Sequence, residues 1–120
     1  MRAFAYLILC FAPLAMVGGG EPAPVPGKVT LVYFWAAWCG PCRQVTPALE
    51  QMAATDAEIA LRKIDLTDGG REGGFEEAAK YNITALPHVK VYNAGGGLVG
   101  SVTGTDIDKV KSYVAQAKSG

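Results

Sequence analysis

The sequence has no excess of charge of either sign. Its 120 residues contain 11 lysines and arginines and 11 aspartates and glutamates, so the formal net charge at pH 7 is zero. Neither sign is gathered into a long run. Nucleic acids and acidic membrane surfaces attract clustered cationic side chains, so the composition argues against both as partners. Half of the residues are hydrophobic, which allows one modest domain and leaves no room for two ordinary ones.

Residues that bind metals are also scarce. The chain has three cysteines and one histidine, whereas a closed zinc site needs four ligands. Cys39 and Cys42 form a C-x-x-C pair, and no second pair follows it. We therefore expect no stable metal site, although transient copper binding by the pair stays open as an alternative.

The chain has no apolar run of the length that spans a bilayer. The apolar stretch at 3–17 is shorter than the roughly 20 residues of a spanning helix, and Pro13 interrupts it. The stretch follows Arg2 and precedes the small residues 18–20, which is the layout of a secretory signal peptide. We expect cleavage after Gly20 or Gly19, and a retained membrane anchor is the alternative.

Cleavage there divides the chain into three parts. Residues 1–20 are the predicted signal peptide, 21–27 a proline-rich lead, and 28–120 the folded domain. Cys10 is lost with the signal peptide, which leaves the even pair Cys39 and Cys42. Because of the predicted signal peptide we expect a periplasmic or secreted protein, in a compartment where disulfides can persist.

The pattern of the remaining residues predicts an α/β fold. The stretch KVTLVYFW at 28–35 is rich in β-branched and aromatic residues without alternation, which is typical of a central parallel strand. Helical spacing of apolar residues predicts a helix over 42–55, with Pro47 inside it. The other expected elements are a strand at 58–66, a glycine-rich loop at 67–74 without a phosphate-binding motif, a helix at 75–82, a hairpin of strands 87–92 and 98–103, and a last helix capped by Thr105 or Asp106. This order predicts a four-stranded mixed sheet flanked by about three helices.

The cysteine pair lies between the first strand and the first helix. A purely structural disulfide is a poor interpretation, because closing so short a loop removes little entropy from the unfolded chain. A helix N-terminus stabilises a thiolate at Cys39, and Pro41 suits the first helical turn. The spacing places Cys42 one turn further, beside Cys39. These features favour a pair that exchanges electrons.

Two stretches carry a resemblance to a known family. FWAAWCGPC at 34–42 resembles the active-site stretch of thioredoxins, and NITALPHVKVYNAGG at 82–96 resembles their later proline loop and hairpin. The resemblance extends over roughly residues 28–118. It implies a thioredoxin-like fold without the extra N-terminal strand and helix of typical members. It also implies that Cys39 is the attacking thiol, Cys42 the resolving thiol and Pro87 a cis-proline that faces them.

The resemblance assigns supporting roles to further residues. Trp38 would shape an apolar rim around Cys39, although an aromatic residue here could also be core. Gly40 and Pro41 support the active site, and Leu86 would offer backbone groups to an extended substrate. His88 could tune the thiolate or contact substrate, although a lone histidine at a strand start is more often a surface residue. Tyr33 stands where thioredoxins have a buried aspartate, so the family's proton transfer at Cys42 does not carry over directly, and Tyr33 is a candidate tuning residue.

The expected function is that of an exported thiol-disulfide oxidoreductase. It would reduce disulfides of extracytoplasmic proteins by dithiol-disulfide exchange, as a monomer that receives electrons from a membrane-embedded donor. No cofactor is expected beyond the redox-active disulfide Cys39–Cys42. The alternatives are a disulfide oxidase or isomerase, and a non-enzymatic binding or copper-handling module.

Overall fold

The sheet is built around β1 (Val29–Trp35), in which every residue except the last is buried. The computed structural model describes residues 24–67 and 83–119. β1 pairs in parallel with β2 (Ile59–Asp65) and antiparallel with β3 (His88–Tyr92). β3 pairs antiparallel with β4 (Leu98–Thr103), so the order of strands is β2-β1-β3-β4. The predicted four-stranded mixed sheet is confirmed, with the non-alternating strand at its centre.

Two helices cover one face of this sheet. α1 (Cys42–Thr55) connects β1 to β2 and runs through Pro47 as predicted, and α2 (Ile107–Ser119) follows β4. The side chain of Asp106 accepts a hydrogen bond from the backbone N–H of Lys109, which confirms the predicted cap of α2. One apolar cluster joins alternate residues of β1 with residues of both helices, namely Leu31, Tyr33, Val45, Leu49, Val110 and Val114.

The intervening residues of β1 point to the opposite face. Val32 and Phe34 are fully buried there and form a second cluster with Leu66 and Ile83. The predicted helix at 75–82, most of the loop at 67–74 and the predicted signal peptide lie outside the described residues. The third helix and the boundaries at residues 20 and 27 therefore stay predictions. In the part of the chain that the structure describes, neither helix is long and apolar enough to cross a membrane.

The predicted hairpin is present between β3 and β4. The side-chain oxygen of Asn93 accepts hydrogen bonds from the backbone N–H groups of Gly95 and Gly97. Gly96 has a φ of 92°, a conformation that favours glycine. The glycine run is therefore a turn whose N–H groups are satisfied by Asn93, by its side chain at Gly95 and Gly97 and by its backbone carbonyl at Gly96.

Candidate active site

Cys39 and Cys42 form a disulfide at the carboxyl end of the central strand. Their Cα atoms are 5.4 Å apart, which is within the usual range for disulfides. A turn joins β1 to α1, in which the Cys39 N–H donates to the Ala36 carbonyl (3.1 Å) and the Cys42 N–H donates to the Cys39 carbonyl (3.2 Å). The disulfide is therefore held between the end of β1 and the beginning of α1.

The two cysteines differ in exposure in the predicted order. Cys39 is 6% exposed and Cys42 is 2% exposed. Pro41 immediately precedes α1 with φ −61° and ψ −24°, a helical conformation. No acidic residue occupies the first turn of α1, so no nearby helix carboxylate opposes the favourable field of the helix N-terminus at a Cys39 thiolate.

The loop that contains Leu86 and Pro87 also lies next to the disulfide. The peptide bond between Leu86 and Pro87 is cis, the isomer that the thioredoxin resemblance implies. Leu86 packs against the small cluster of Ala36, Cys39 and Cys42. The sequence brings these segments together because β3, which Pro87 precedes, is the antiparallel neighbour of β1.

An apolar cavity of about 450 Å³ opens beside Cys39. Trp38 lines it and is 59% exposed, so the interpretation of Trp38 as a core residue is wrong. The indole Nε1–H of Trp38 donates to the carbonyl oxygen of Thr67 (2.9 Å), and the Ala37 N–H donates to the Thr67 hydroxyl (2.9 Å). The remaining described lining residues are Cys39, Gly40, Pro41, Leu66, Ile83, Thr84, Ala85 and Leu86. The cavity is therefore a mostly apolar space that is open to solvent and borders the Cys39 side of the disulfide.

Tyr33 lies on the α1 side of the sheet, behind Cys42. It is fully buried, and its hydroxyl lies 2.7 Å from the Thr46 hydroxyl and 3.2 Å from the Cys42 carbonyl oxygen. The Thr46 hydroxyl donates to the Cys42 carbonyl (2.9 Å). Burial raises the pKa of Tyr33, and the hydrogen bond with Thr46 offsets this only in part. Tyr33 is therefore neutral at pH 7.

His88 is buried, and the expectation of a surface histidine is wrong. It is 7% exposed, and its Nδ1 lies 2.9 Å from the Thr103 hydroxyl. Its ring meets the edge of the Phe34 ring at 6.0 Å between centroids, because the antiparallel register pairs these two residues. Its Nε2 is buried without a hydrogen-bond partner among the described residues. Burial lowers the pKa of His88, and the positive charge of Lys90 adds to this effect.

Comparison with known proteins decides the family. The sequence model of the family described as thioredoxin matches residues 25–116. The chain belongs to the thioredoxin family. The resemblance found in the sequence and the predicted thioredoxin-like fold are both confirmed.

Individual thioredoxins show the extent of the similarity. Mitochondrial thioredoxin O1 of Arabidopsis thaliana is 34% identical over 87 residues, which are 72% of this chain and 43% of that protein. A thioredoxin of Streptomyces clavuligerus is 38% identical over 77 residues, 64% of this chain and 66% of that protein. The chain thus spans less than two thirds of the length of these curated relatives.

Solved thioredoxin structures share the fold. The structure of Fasciola hepatica thioredoxin superimposes with a TM-score of 0.64 and 30% identity, over 77% of this chain and 83% of that one. Oxidised thioredoxin O1 of Arabidopsis thaliana gives a TM-score of 0.63 and 32% identity, over 75% of this chain and 78% of that one.

Two threonines of this thioredoxin site are absent from the residues that the sequence suggested. Thr46 follows Cys42 by four positions, and helical geometry places such residues next to each other, so a signal was available. Thr67 follows β2 and reaches Trp38 only because β1 and β2 are parallel and end at the same edge. No local pattern reveals that contact.

Proposed function

We propose that this thioredoxin-family chain catalyses thiol-disulfide exchange with disulfides of extracytoplasmic proteins, and that it acts as a reductant. The observation that carries the proposal is the position of the Cys39–Cys42 disulfide, between a helix N-terminus, a cis-proline loop and an open apolar cavity. The family supports thiol-disulfide oxidoreductase chemistry in general. The direction of electron transfer and the cellular compartment go beyond this general support and are part of the proposal.

The reduced protein would begin catalysis at Cys39. The Cys39 thiolate attacks one sulfur of the substrate disulfide, and the other substrate sulfur leaves as a thiolate. Cys42 then loses its proton and attacks the Cys39 sulfur, which releases the second substrate thiolate and re-forms the Cys39–Cys42 disulfide. Two electrons pass from the cysteine pair to the substrate. The N-terminus of α1 supports the first step because it stabilises the attacking thiolate.

The cavity beside Cys39 supports recognition of an extended peptide. Trp38 and Leu86 both line it and would contact apolar side chains of the substrate. The backbone of Leu86 would pair with the substrate backbone as an added strand does. Such contacts select for an extended segment next to the substrate cysteine and demand little of its sequence.

The reducing direction follows from the dipeptide between the cysteines, since Cys-Gly-Pro-Cys matches the reducing branch of the family. Related proteins range from about −270 mV for thioredoxin to about −120 mV for a strong oxidant. A monomeric reductant outside the cytoplasm would need electrons from a membrane-embedded donor. Equilibration with glutathione would decide between the alternatives, because a strong oxidant stays reduced under conditions in which a reductant becomes oxidised.

Single cysteine substitutions test the chemistry. Reduction of a protein disulfide by dithiothreitol should be accelerated by the parent chain and by Cys10→Ser, whereas Cys39→Ser should be inactive. Cys42→Ser should accumulate mixed disulfides with substrates, because the resolving thiol is gone. If Cys39→Ser trapped substrates and Cys42→Ser did not, the roles of the two thiols would be reversed.

Fractionation and N-terminal sequencing test the location. The proposal predicts a soluble exported chain that starts near Glu21, because the layout of residues 1–20 is that of a signal peptide. Full-length chain in the membrane fraction would show that the segment is an anchor, and a cytosolic chain would contradict export.

The copper-handling alternative makes a different prediction. The described residues 24–67 and 83–119 contain no group of three or more histidine, cysteine, aspartate or glutamate side chains placed to hold a metal. A module of that kind would bind Cu(I) tightly through the two thiolates and turn over no disulfide. Turnover by the parent chain that a Cu(I) chelator leaves unchanged would count against it.

A further inference from the structure

A second cavity also borders the disulfide. Its volume is about 350 Å³, and Cys42 and Thr46 both line it. Among the described lining residues, Arg43 is the charged side chain and no carboxylate is present; the others are Trp35, Ala36, Ala37, Cys39 and Pro47. The resolving thiol thus lies beside a space that does not belong to the substrate-docking cavity.

We propose that Thr46, held in place by Tyr33, is a positioning residue for the resolving step, and that water in this second cavity accepts the Cys42 proton. The inference rests on the thiol-disulfide exchange proposed above and adds the residues that control its second half.

The positioning role follows from three short contacts. The hydroxyls of Tyr33 and Thr46 lie 2.7 Å apart, and both reach the carbonyl oxygen of Cys42, at 3.2 and 2.9 Å. Tyr33 and Cys42 are almost completely buried, and a buried hydroxyl without a partner is costly, so the three groups stay together. Cys42 is the first residue of α1, where helices fray most readily. The contacts tie the backbone of this first residue to the central strand and so hold the position from which its side chain starts.

Among the described residues, the groups around Tyr33 and the second cavity include no buried base, which leaves water as the proton acceptor. Tyr33 itself is neutral because burial raises its pKa. The charged groups that act on it are Lys63 of β2, its partner in register, and Glu50 of α1. These two form an ion pair at 2.7 Å and are 39% and 49% exposed, so neither is a buried base. A cavity of about 350 Å³ is far larger than the roughly 30 Å³ of one water, and the Thr46 hydroxyl and Arg43 offer it polar partners.

The resolving step then balances as follows. The Cys42 thiol gives its proton to a water of the second cavity, and its sulfur attacks the Cys39 sulfur. The bond between Cys39 and the substrate sulfur breaks, the Cys39–Cys42 bond forms, and the substrate thiolate takes a proton from bulk solvent. Cys42 is oxidised and the substrate sulfur is reduced, with no further reactant.

Ellman's reagent separates the two steps in one experiment. The reduced full chain, carrying Cys10→Ser so that two thiols remain, releases one coloured thiolate on attack by Cys39 and a second on resolution by Cys42. Thr46→Val removes the hydroxyl and keeps the shape, and Thr46→Ser keeps the hydroxyl. Thr55→Val is the matched control, because the Thr55 hydroxyl makes the same type of helix contact, to the Gln51 carbonyl at 2.9 Å, far from the cysteines.

We expect Thr46→Val to slow the second phase about fivefold, the loss of one net hydrogen bond, with the first phase unchanged. Thr46→Ser and Thr55→Val should match the parent in both phases. Equal second phases in Thr46→Val and the parent would overturn the positioning role, and so would an equal slowing by Thr46→Ser or Thr55→Val. A parent chain that releases only the first thiolate would instead contradict the proposed function.

The pH dependence of the second phase tests whether water accepts the Cys42 proton. Glu50→Gln removes the carboxylate that acts on Tyr33 among the described residues. We expect the same pH profile of the second phase in this variant and in the parent. Loss of an inflection in Glu50→Gln would identify Glu50 as the base and overturn the role of water.

Discussion

Protonation of His88 should destabilise the fold at mildly acidic pH. The imidazole is buried between the Phe34 ring and the Thr103 hydroxyl, and its Nε2 has no described partner. A second proton on the ring would place a positive charge in this apolar layer, near the like charge of Lys90. The perturbation is therefore a change of pH alone, acting on the one histidine of the chain.

The sign and the limit of the effect follow from the lowered pKa. Above the ordinary pKa of 6.5, His88 is neutral in the folded and unfolded states, and the free energy of unfolding does not depend on it. Below pH 6.5 the unfolded state binds the proton first, so stability falls with pH until the folded-state pKa is passed. One group can contribute at most about 1.4 kcal/mol per pH unit.

Urea unfolding between about pH 5 and 7.5 measures this slope. Aspartate and glutamate titrate mostly below this range and lysine above it, so the slope can be assigned to the single histidine. His88→Gln should remove most of the slope whatever its effect on absolute stability, whereas Lys90→Gln should leave most of it because burial is the larger cause. A parent profile that is flat, or that rises as the pH falls from 6.5, would refute the reasoning.

Three further substitutions test other parts of the structure. Tyr33→Asp should cost a few kcal/mol in urea unfolding, since it replaces a fully buried ring by a potential charge; if the variant folds, its carboxylate should speed the resolving phase near pH 7 and leave attack by Cys39 less affected. Gly100→Ala should cost about 1–3 kcal/mol because its Cβ would lie 2.5 Å from the Tyr113 ring, whereas Gly95→Ala, whose nearest contact is 3.6 Å away, should be close to neutral. Trp38→Ala should raise the KM for a protein disulfide several-fold with little change in stability, because the indole is exposed at the cavity proposed to bind substrate.

Local patterns were enough to predict most of the described fold. The lack of polar-apolar alternation in β1 reflects burial on both faces of a central strand. The apolar spacing of α1 and the glycine run between β3 and β4 are also local, and the structure confirms them within one residue at each strand end. The cysteine spacing predicted the disulfide correctly, because residues three positions apart at the beginning of a helix lie next to each other.

Features that depend on register or on isomer choice could not be predicted from the residues alone. His88 is buried because it pairs with Phe34 across an antiparallel ladder, and its own sequence neighbourhood does not reveal that pairing. The cis isomer of the Leu86–Pro87 bond came only from the family resemblance, since about 5–6% of such bonds are cis in folded proteins. The contact of Trp38 with Thr67 depends on two parallel strands ending together.

Side chains along β1 alternate between the two faces of the sheet. The pH dependence of folding stability and that of the resolving step therefore arise on opposite faces. Tyr33 points to the helix-covered face and supports Cys42, while Phe34 points to the opposite face and packs against His88. A buried carboxylate at residue 33 would couple folding stability to the resolving step, because its ionisation would enter both. The neutral hydroxyls of Tyr33 and Thr46 avoid that coupling, since neither changes charge near neutral pH. Stability should therefore follow the protonation of His88, while resolution follows the Cys42 thiol and its water.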